Sequence, residues 1–313
     1  MIARLRSLGW DSRTSRPPAH LSPSPHLWGI VLTGGNQDDT VVTYEAARAG
    51  RLRPRWARGP SPDASFRRTI DRALRLIAPE RLVAVVTRDQ AGRYDADLVA
   101  LPGIQRIVQP VDRGTAPEIL LPVLRIVRQD PHAIVVILPS EHRVDHDARF
   151  MKYVADAASA ASARPDLPFV IGARPRTADP SCPWIEPGPP IEGLEFLSVR
   201  SVKRFLPRPS VAEVDSLFMG QGLLNTHVLV AHARTLIDLG KRYMPDVLES
   251  LEPLEEVAEG PEADLLCDAV YECMPQASLA HGLTDGWRHF AVLPIPDAMW
   301  GERSRPGLEA LAS

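Results

Sequence analysis

Apolar positions along the chain fall into two recurring registers, short continuous runs and runs spaced three or four residues apart. Leu27-Trp28-Gly29-Ile30-Val31-Leu32-Thr33 ends abruptly in Gly34-Gly35. A run of β-branched and aliphatic residues closed by turn residues reads as a strand buried on both faces, as in the middle of a parallel sheet. Arg81 to Thr87, Ile104 to Gln109, Ala133 to Leu138 and Phe169 to Gly172 repeat that signature. Between them, Ser65 to Ile77 (apolar at Phe66, Ile70, Ala73, Leu74 and Ile77), Glu118 to Arg128 and Ala148 to Ala163 carry helical spacing. Strands alternating with helices over short connections predict an α/β fold, with a mixed, mostly parallel sheet between helical layers.

Beyond Gly172 the pattern becomes irregular. Pro175, Pro180, Pro183, Pro187, Pro189 and Pro190 mark a loop-rich stretch, followed by a strand-like Phe196 to Phe205 and a helical Val211 to Met219 that Gly220 and Gly222 terminate. Leu223 to Ala231 reads as another strand, interrupted by Asn225-Thr226-His227. Arg234 to Cys273 reads as helices, its acidic stretch Glu249 to Glu262 as a solvated face, and His289 to Pro294 as a last strand. The first 26 residues are rich in Arg, Ser and Pro and read as a disordered tail, which leaves residues 27–313 as the folded domain.

With 313 residues, 44% of them hydrophobic, and a net charge of -3, the chain can bury a large core. That charge balance points to neither nucleic acid nor membrane as partner, and no apolar run approaches the ~20 residues of a membrane span. Cys182, Cys267 and Cys273 lack metal-ligand spacing and are odd in number, so they read as free thiols in a reducing compartment and the expected location is the cytoplasm.

Candidate chemistry clusters where strands end. In open α/β sheets ligands collect at the carboxyl ends of the strands, and a glycine pair such as Gly34-Gly35 lets backbone N–H groups approach a phosphate. A tight turn explains such a pair equally well. Arg48, Arg51, Arg53, Arg55 and Arg58 follow around Pro54 and read either as polyphosphate ligands or as a solvated basic loop. Asp112 to Pro117 forms a turn whose small residues, Gly114, Thr115 and Ala116, would leave helix-start donors free for a ligand. Glu141 stands at the tip of the most strand-like segment, where a carboxylate can hold a divalent cation. The neighbouring His142, Asp145, His146 and Asp147 could be metal ligands, but Asp145 as N-cap and Asp147 as a first-turn acid of the following helix is the simpler reading.

In this order the pieces resemble the sugar-phosphate nucleotidyltransferases, and within them the bacterial mannose-1-phosphate guanylyltransferases. The resemblance runs from about Trp28 to Glu302. It rests on Trp28 to Gly35, Val108-Gln109-Pro110 with Arg113-Gly114-Thr115-Ala116-Pro117, Leu138 to His142, Trp184 to Gly188, Lys203 to Pro209, and Leu224-Asn225-Thr226. It implies a three-layer, Rossmann-like fold of the nucleotide-diphospho-sugar transferase type. The implied reaction moves a nucleoside monophosphate from an NTP, GTP favoured, to a sugar 1-phosphate, mannose 1-phosphate favoured, and releases pyrophosphate. Under the resemblance Gly34, Gly35, Arg113, Gly114, Thr115 and Ala116 line the nucleotide, Arg55 and Arg208 meet phosphates, and Glu186 and Asn225 face the sugar. Glu141 and Glu302 hold Mg²⁺ or Mn²⁺. A homo-oligomer is admissible.

The departures fall on the chemistry. Where the family's glycine loop continues G-x-G-T-R-L, this chain reads Gly35-Asn36-Gln37-Asp38-Asp39-Thr40. A carboxylate about 4 Å from a phosphate charge opposes binding by up to about 4 kcal/mol at an effective dielectric near 20. The phosphate-binding lysines of two family motifs are Arg55 and Arg208, the metal aspartates are Glu141 and Glu302, and the glycine before the sugar-loop aromatic is Pro183. The D-F-S stretch of the family is Ser278-Leu279-Ala280, which lacks the acid. Two readings follow: a working nucleotidyltransferase, or a catalytically inactive relative kept as a binding or regulatory protein.

Overall fold

A computed structural model describes residues 25–33, 62–140, 144, 146–255, 260–279 and 289–296. Gly34, Gly35, Asp38, Asp39, Arg55, Glu141, His142, Asp145 and Glu302 lie outside them.

The buried runs form strands β1 (Leu27–Leu32), β2 (Leu82–Thr87), β3 (Gln105–Gln109), β4 (Ile134–Pro139), β5 (Phe169–Ala173), β6 (Trp184–Pro190), β7 (Arg200–Leu206), β8 (Leu223–His232) and β9 (Ala291–Ile295). They join in one nine-stranded sheet of order β3-β2-β1-β4-β8-β5-β9-β7-β6, in which β6 also pairs with β8. The half built from β3, β2, β1 and β4 is wholly parallel. β8 then runs antiparallel between β4 and β5, and β9 lies parallel to β5. The β6–β7, β6–β8 and β7–β9 pairings are antiparallel.

Helices α1 (Pro62–Ala73), α2 (Arg88–Val99), α3 (Thr115–Gln129), α4 (Asp147–Ala163), α5 (Val211–Met219), α6 (Ala233–Tyr243), α7 (Pro245–Leu251) and α8 (Pro261–Cys273) complete the described elements. Alternation along each strand sorts the core into two layers. Trp28, Ile30, Leu32, Val83, Val85, Val135 and Ile137 pack with α3, α6 and α7. Leu27, Val31, Leu82, Ala84, Val86, Val136 and Leu138 pack with α1 and α4 on the opposite face. Both faces of the central strands are therefore apolar, which is why they read as continuous runs.

Several local expectations change. The proline-rich stretch around Trp184 is a strand, because its prolines sit at the register shifts between Glu186 and Pro187 and between Pro187 and Pro190, where the ladder is already broken. Phe196 to Phe205 divides into a 3₁₀ turn, Glu195–Leu197, and β7, separated by Ser198 at φ 58°. The N-cap position of α4 is His146, one residue after the expected Asp145, and its side chain makes no cap bond. His26, expected in the tail, is held by the fold. Its carbonyl accepts from Ile134 N at 2.9 Å and its ring pairs with Asp130 at 2.9 Å.

Candidate functional site

Strand direction decides which loops share an edge. β1 and β4 are in register from Leu27↔Ile134 to Leu32↔Pro139, and Ser140 N donates to Leu32 O at 2.9 Å. The segments entering Gly34-Gly35 and Glu141 therefore leave adjacent strands side by side, about 4.8 Å apart. Thr33 is buried and fixes the first of these exits, its hydroxyl lying 3.0 Å from Val85 O and 2.8 Å from Gln90 Oε1. Ser140, also buried, fixes the second, with Thr69 Oγ1 at 3.5 Å from its carbonyl.

β5 and β9 run parallel to β4, being separated from it by the antiparallel β8, so Ile295 ends at this same edge and the chain toward Glu302 departs from it. β8 enters here, with Asn225 opposite Gly172 and Leu224 opposite Ala173. β6 starts here too, Trp184 facing Leu224, and carries Glu186 outward. The carboxyl edge of the parallel strands thus gathers Thr33, Gln109, the turn 112–117, Ser140, Asn225 and the start of β6.

The turn after β3 is tightly engaged. Gly114, at φ 86°, needs the freedom of glycine, since a Cβ there would lie 2.4 Å from Ala277 O. Its N–H donates to Asp112 Oδ1 at 2.7 Å, Ala116 N donates to Ala277 O at 3.0 Å, and Ala277 N donates to Arg113 O at 2.8 Å. Thr115 Oγ1 accepts from Leu279 N at 3.0 Å. The Arg113 guanidinium donates to the carbonyls of Tyr271 (2.6 Å) and Glu272 (2.9 Å). The expectation of free donors at Gly114 and Ala116 is corrected: both amides are spent inside the protein, on Asp112 and on the segment after α8. That partner segment lies more than 150 residues away in the chain, and no local signal at 112–117 points to it.

On the β6–β7 side, Glu186 receives Lys203 Nζ at 2.5 Å and Arg204 Nε at 2.8 Å. The Lys203 hydrogen bond, opposed by a little burial and joined by that from Arg204, holds the Glu186 carboxyl below its ordinary pKa. Arg204 also reaches Glu213 at 3.5 Å. Glu213 closes a capping box with Ser210 at the start of α5. Arg208 is exposed between Pro207 and Pro209, just before that box.

Asn225 N donates to Pro183 O at 2.9 Å, and its side-chain oxygen accepts from His227 N at 2.9 Å. His227 takes φ 54°, a left-handed conformation, and Thr226 Oγ1 donates to Ile171 O at 2.7 Å. The strand break read at Asn225-Thr226-His227 is thus a bulge stabilised by its own polar side chains, with β5 and β8 out of register between Val170 and Gly172.

Among the described residues no group of three His, Cys, Asp or Glu side chains could hold a metal ion, and no helix is long and apolar enough to cross a membrane. The metal candidates Glu141 and Glu302 lie outside those residues.

No family model matches the chain. It is similar, at 23% identity over 199 residues (63% of this chain, 40% of the relative), to xanthan biosynthesis protein XanB of Xanthomonas campestris. Mannose-1-phosphate guanylyltransferase ManC of Salmonella typhimurium is 23% identical over 203 residues, 63% of this chain and 41% of that protein. The matched region is less than half the length of these relatives. Among solved structures, one described as mannose-1-phosphate geranyltransferase from Thermus thermophilus aligns with TM-score 0.69 and 22% identity, covering 88% of this chain and 75% of that one. Another, described as mannose-6-phosphate isomerase from Helicobacter pylori, aligns with TM-score 0.64 and 15% identity over 88% of this chain and all of that one. The α/β fold read from the sequence is the fold of these structures.

Proposed function

We propose that this chain is a nucleotidyltransferase that moves a nucleoside monophosphate from an NTP, GTP favoured, to a sugar 1-phosphate, mannose 1-phosphate favoured, with release of pyrophosphate. The observation that carries the reading is the shared edge. The exits toward Gly34-Gly35 and Glu141, the turn 113–116, Asn225, and the exit toward Glu302 all leave the sheet at the carboxyl ends of its parallel strands. The relatives' names supply the substrate class.

The sugar phosphate oxygen attacks the α-phosphorus in line, forming the new P–O bond as the bond to pyrophosphate breaks. The protein's part is to align two anions and offset their charge. Gly34, Gly35 and the turn at Arg113 to Ala116 take the nucleotide side. Glu186 and Asn225 face the sugar hydroxyls, and Arg208 and Arg55 meet phosphate. Glu186, kept ionised by Lys203 and Arg204, suits a hydroxyl donor. Carboxylates suit a hard divalent cation, so Glu141 and Glu302, which follow the strand ends at Ser140 and Ile295 in sequence, would hold Mg²⁺ or Mn²⁺, which when bound offsets phosphate charge.

The test is pyrophosphate release across a panel of NTPs and sugar 1-phosphates with Mg²⁺ or Mn²⁺. Release that requires both substrates supports the reading, and none with any pair refutes catalysis. The sequence Asp38-Asp39 in the glycine loop favours a second reading, a binding protein without turnover. GTP-analogue binding that is absent in wild type and appears in an Asp38→Ala, Asp39→Ala double variant supports it. Micromolar binding unchanged by the substitutions removes the electrostatic argument for it.

A further inference from the structure

Tyr271 is the buried residue of α8, in a helix otherwise largely exposed. Its hydroxyl accepts from Gln109 Nε2 at 2.9 Å, and Gln109, itself buried, is the last residue of β3. Its backbone carbonyl accepts from Arg113 Nε at 2.6 Å. One residue therefore holds both the tip of β3 and the base of the 112–117 turn. A few residues on, Ala277 and Leu279 hold the turn's backbone and Thr115. Farther up the helix, Asp268 pairs with Arg88 at the tip of β2 (2.5 Å), so α8 is tied to two adjacent strand ends.

We propose that Tyr271 is a positioning residue for the nucleotide side of the site, acting through Gln109 and Arg113. The inference rests on the functional reading above. A turn attached to its own loop alone would sample several arrangements; attached to the sheet and to α8 together, it presents one surface to the base. Burial pushes the Tyr271 phenol up, so it stays protonated through the neutral range, and its hydroxyl is free to accept from Gln109 throughout.

The experiment compares wild type, Tyr271→Phe, Gln109→Leu and the double variant in the full chain. Binding of a labelled GTP analogue and of mannose 1-phosphate is measured, together with amide exchange at Ala116 and Ala277. Each single variant is expected to weaken the GTP analogue about three- to tenfold, the worth of one buried hydrogen bond. Mannose 1-phosphate affinity should hold, and exchange at Ala116 and Ala277 should quicken while β1 amides stay protected. The double variant should lose no more than a single one, because the pair acts as a unit. Unchanged nucleotide affinity, or equal losses for both ligands, overturns the proposal while leaving the functional reading in place. A wild type that binds no nucleotide overturns the functional reading and the proposal with it.

Discussion

Asp130 gathers an unusual set of donors for a residue in a helix–strand turn. Trp28 Nε1 lies at 3.0 Å, the His26 ring at 2.9 Å and His132 N at 3.1 Å. Burial pushes this carboxyl up, but the bonds from Trp28, His26 and His132 together outweigh it and hold the pKa below normal. Next to it, His232 has a buried Nδ1 without a partner among the described residues. Burial, then the charges of His132 and Arg234, with that of His26 adding and Asp130 opposing, lower its pKa from 6.5. A histidine whose pKa is depressed by folding binds its proton more readily when unfolded, so stability falls as pH drops from 6.5 toward the folded value. Asp130 adds a second loss below 3.8, its ordinary value. Thermal melts between pH 5 and 7.5 should show a slope that flattens in His232→Gln; an identical slope would clear His232 of the effect. Backbone geometry sets a sharper test at Gly114, where an added Cβ meets Ala277 O at 2.4 Å and φ is 86°. Gly114→Ala should cost about 1–3 kcal/mol in urea unfolding and weaken nucleotide binding, whereas Gly92→Ala, with open space around it, should be neutral or slightly stabilising.

Elements that could be read from sequence were those whose signal is local. Val211–Met219 matches its predicted bounds because Ser210 caps it and Gly220 stops it. α2 was unread: in Arg88 to Val99 the buried anchor among the described side chains is Tyr94, its ring 4.4 Å from that of Phe66 of α1 and tilted 45° to it, too sparse a pattern to announce a helix. β6 was hidden by prolines that only its bulged pairing with β7 makes tolerable. The site was legible as strand-end residues, but the engagement of 112–117 by the segment after α8 depends on contacts distant in sequence, which periodicity cannot reveal. Packing also joins α1 to α4: Arg72, 4% exposed, donates to Asp147 Oδ1 at 2.7 Å and lies over the Phe150 ring. Asp147→Ala removes the carboxylate that pairs with that buried guanidinium among the described residues. It should destabilise by about 2 kcal/mol, less than a fully buried pair because Asp147 is partly exposed. Equal denaturation midpoints for variant and wild type would show that water already serves Arg72.

At the scale of the molecule, the candidate site is a property of the sheet's directionality, since residues from every third of the chain reach one edge. If Glu141 and Glu302 serve there together, Glu141→Ala and Glu302→Ala should each lower pyrophosphate release about 10²-fold, with little change in melting temperature. Loss in one variant and not the other would remove the shared-cation assignment. β4 and β9 lie three strand spacings apart, about 14 Å, and the residues after Ile295 are numerous enough to cross that distance. The antiparallel β8 has a different consequence, for the order in which the protein can be made. It lies between β4 and β5, yet it follows both in sequence by fifty residues or more. During synthesis the Ile134–Pro139 strand therefore leaves the ribosome as an open, wholly apolar edge and stays so until Leu223 to His232 arrives. The parallel half should thus depend on late residues for its solubility, and a chain ended before Leu223 is expected to aggregate where the 313-residue chain does not.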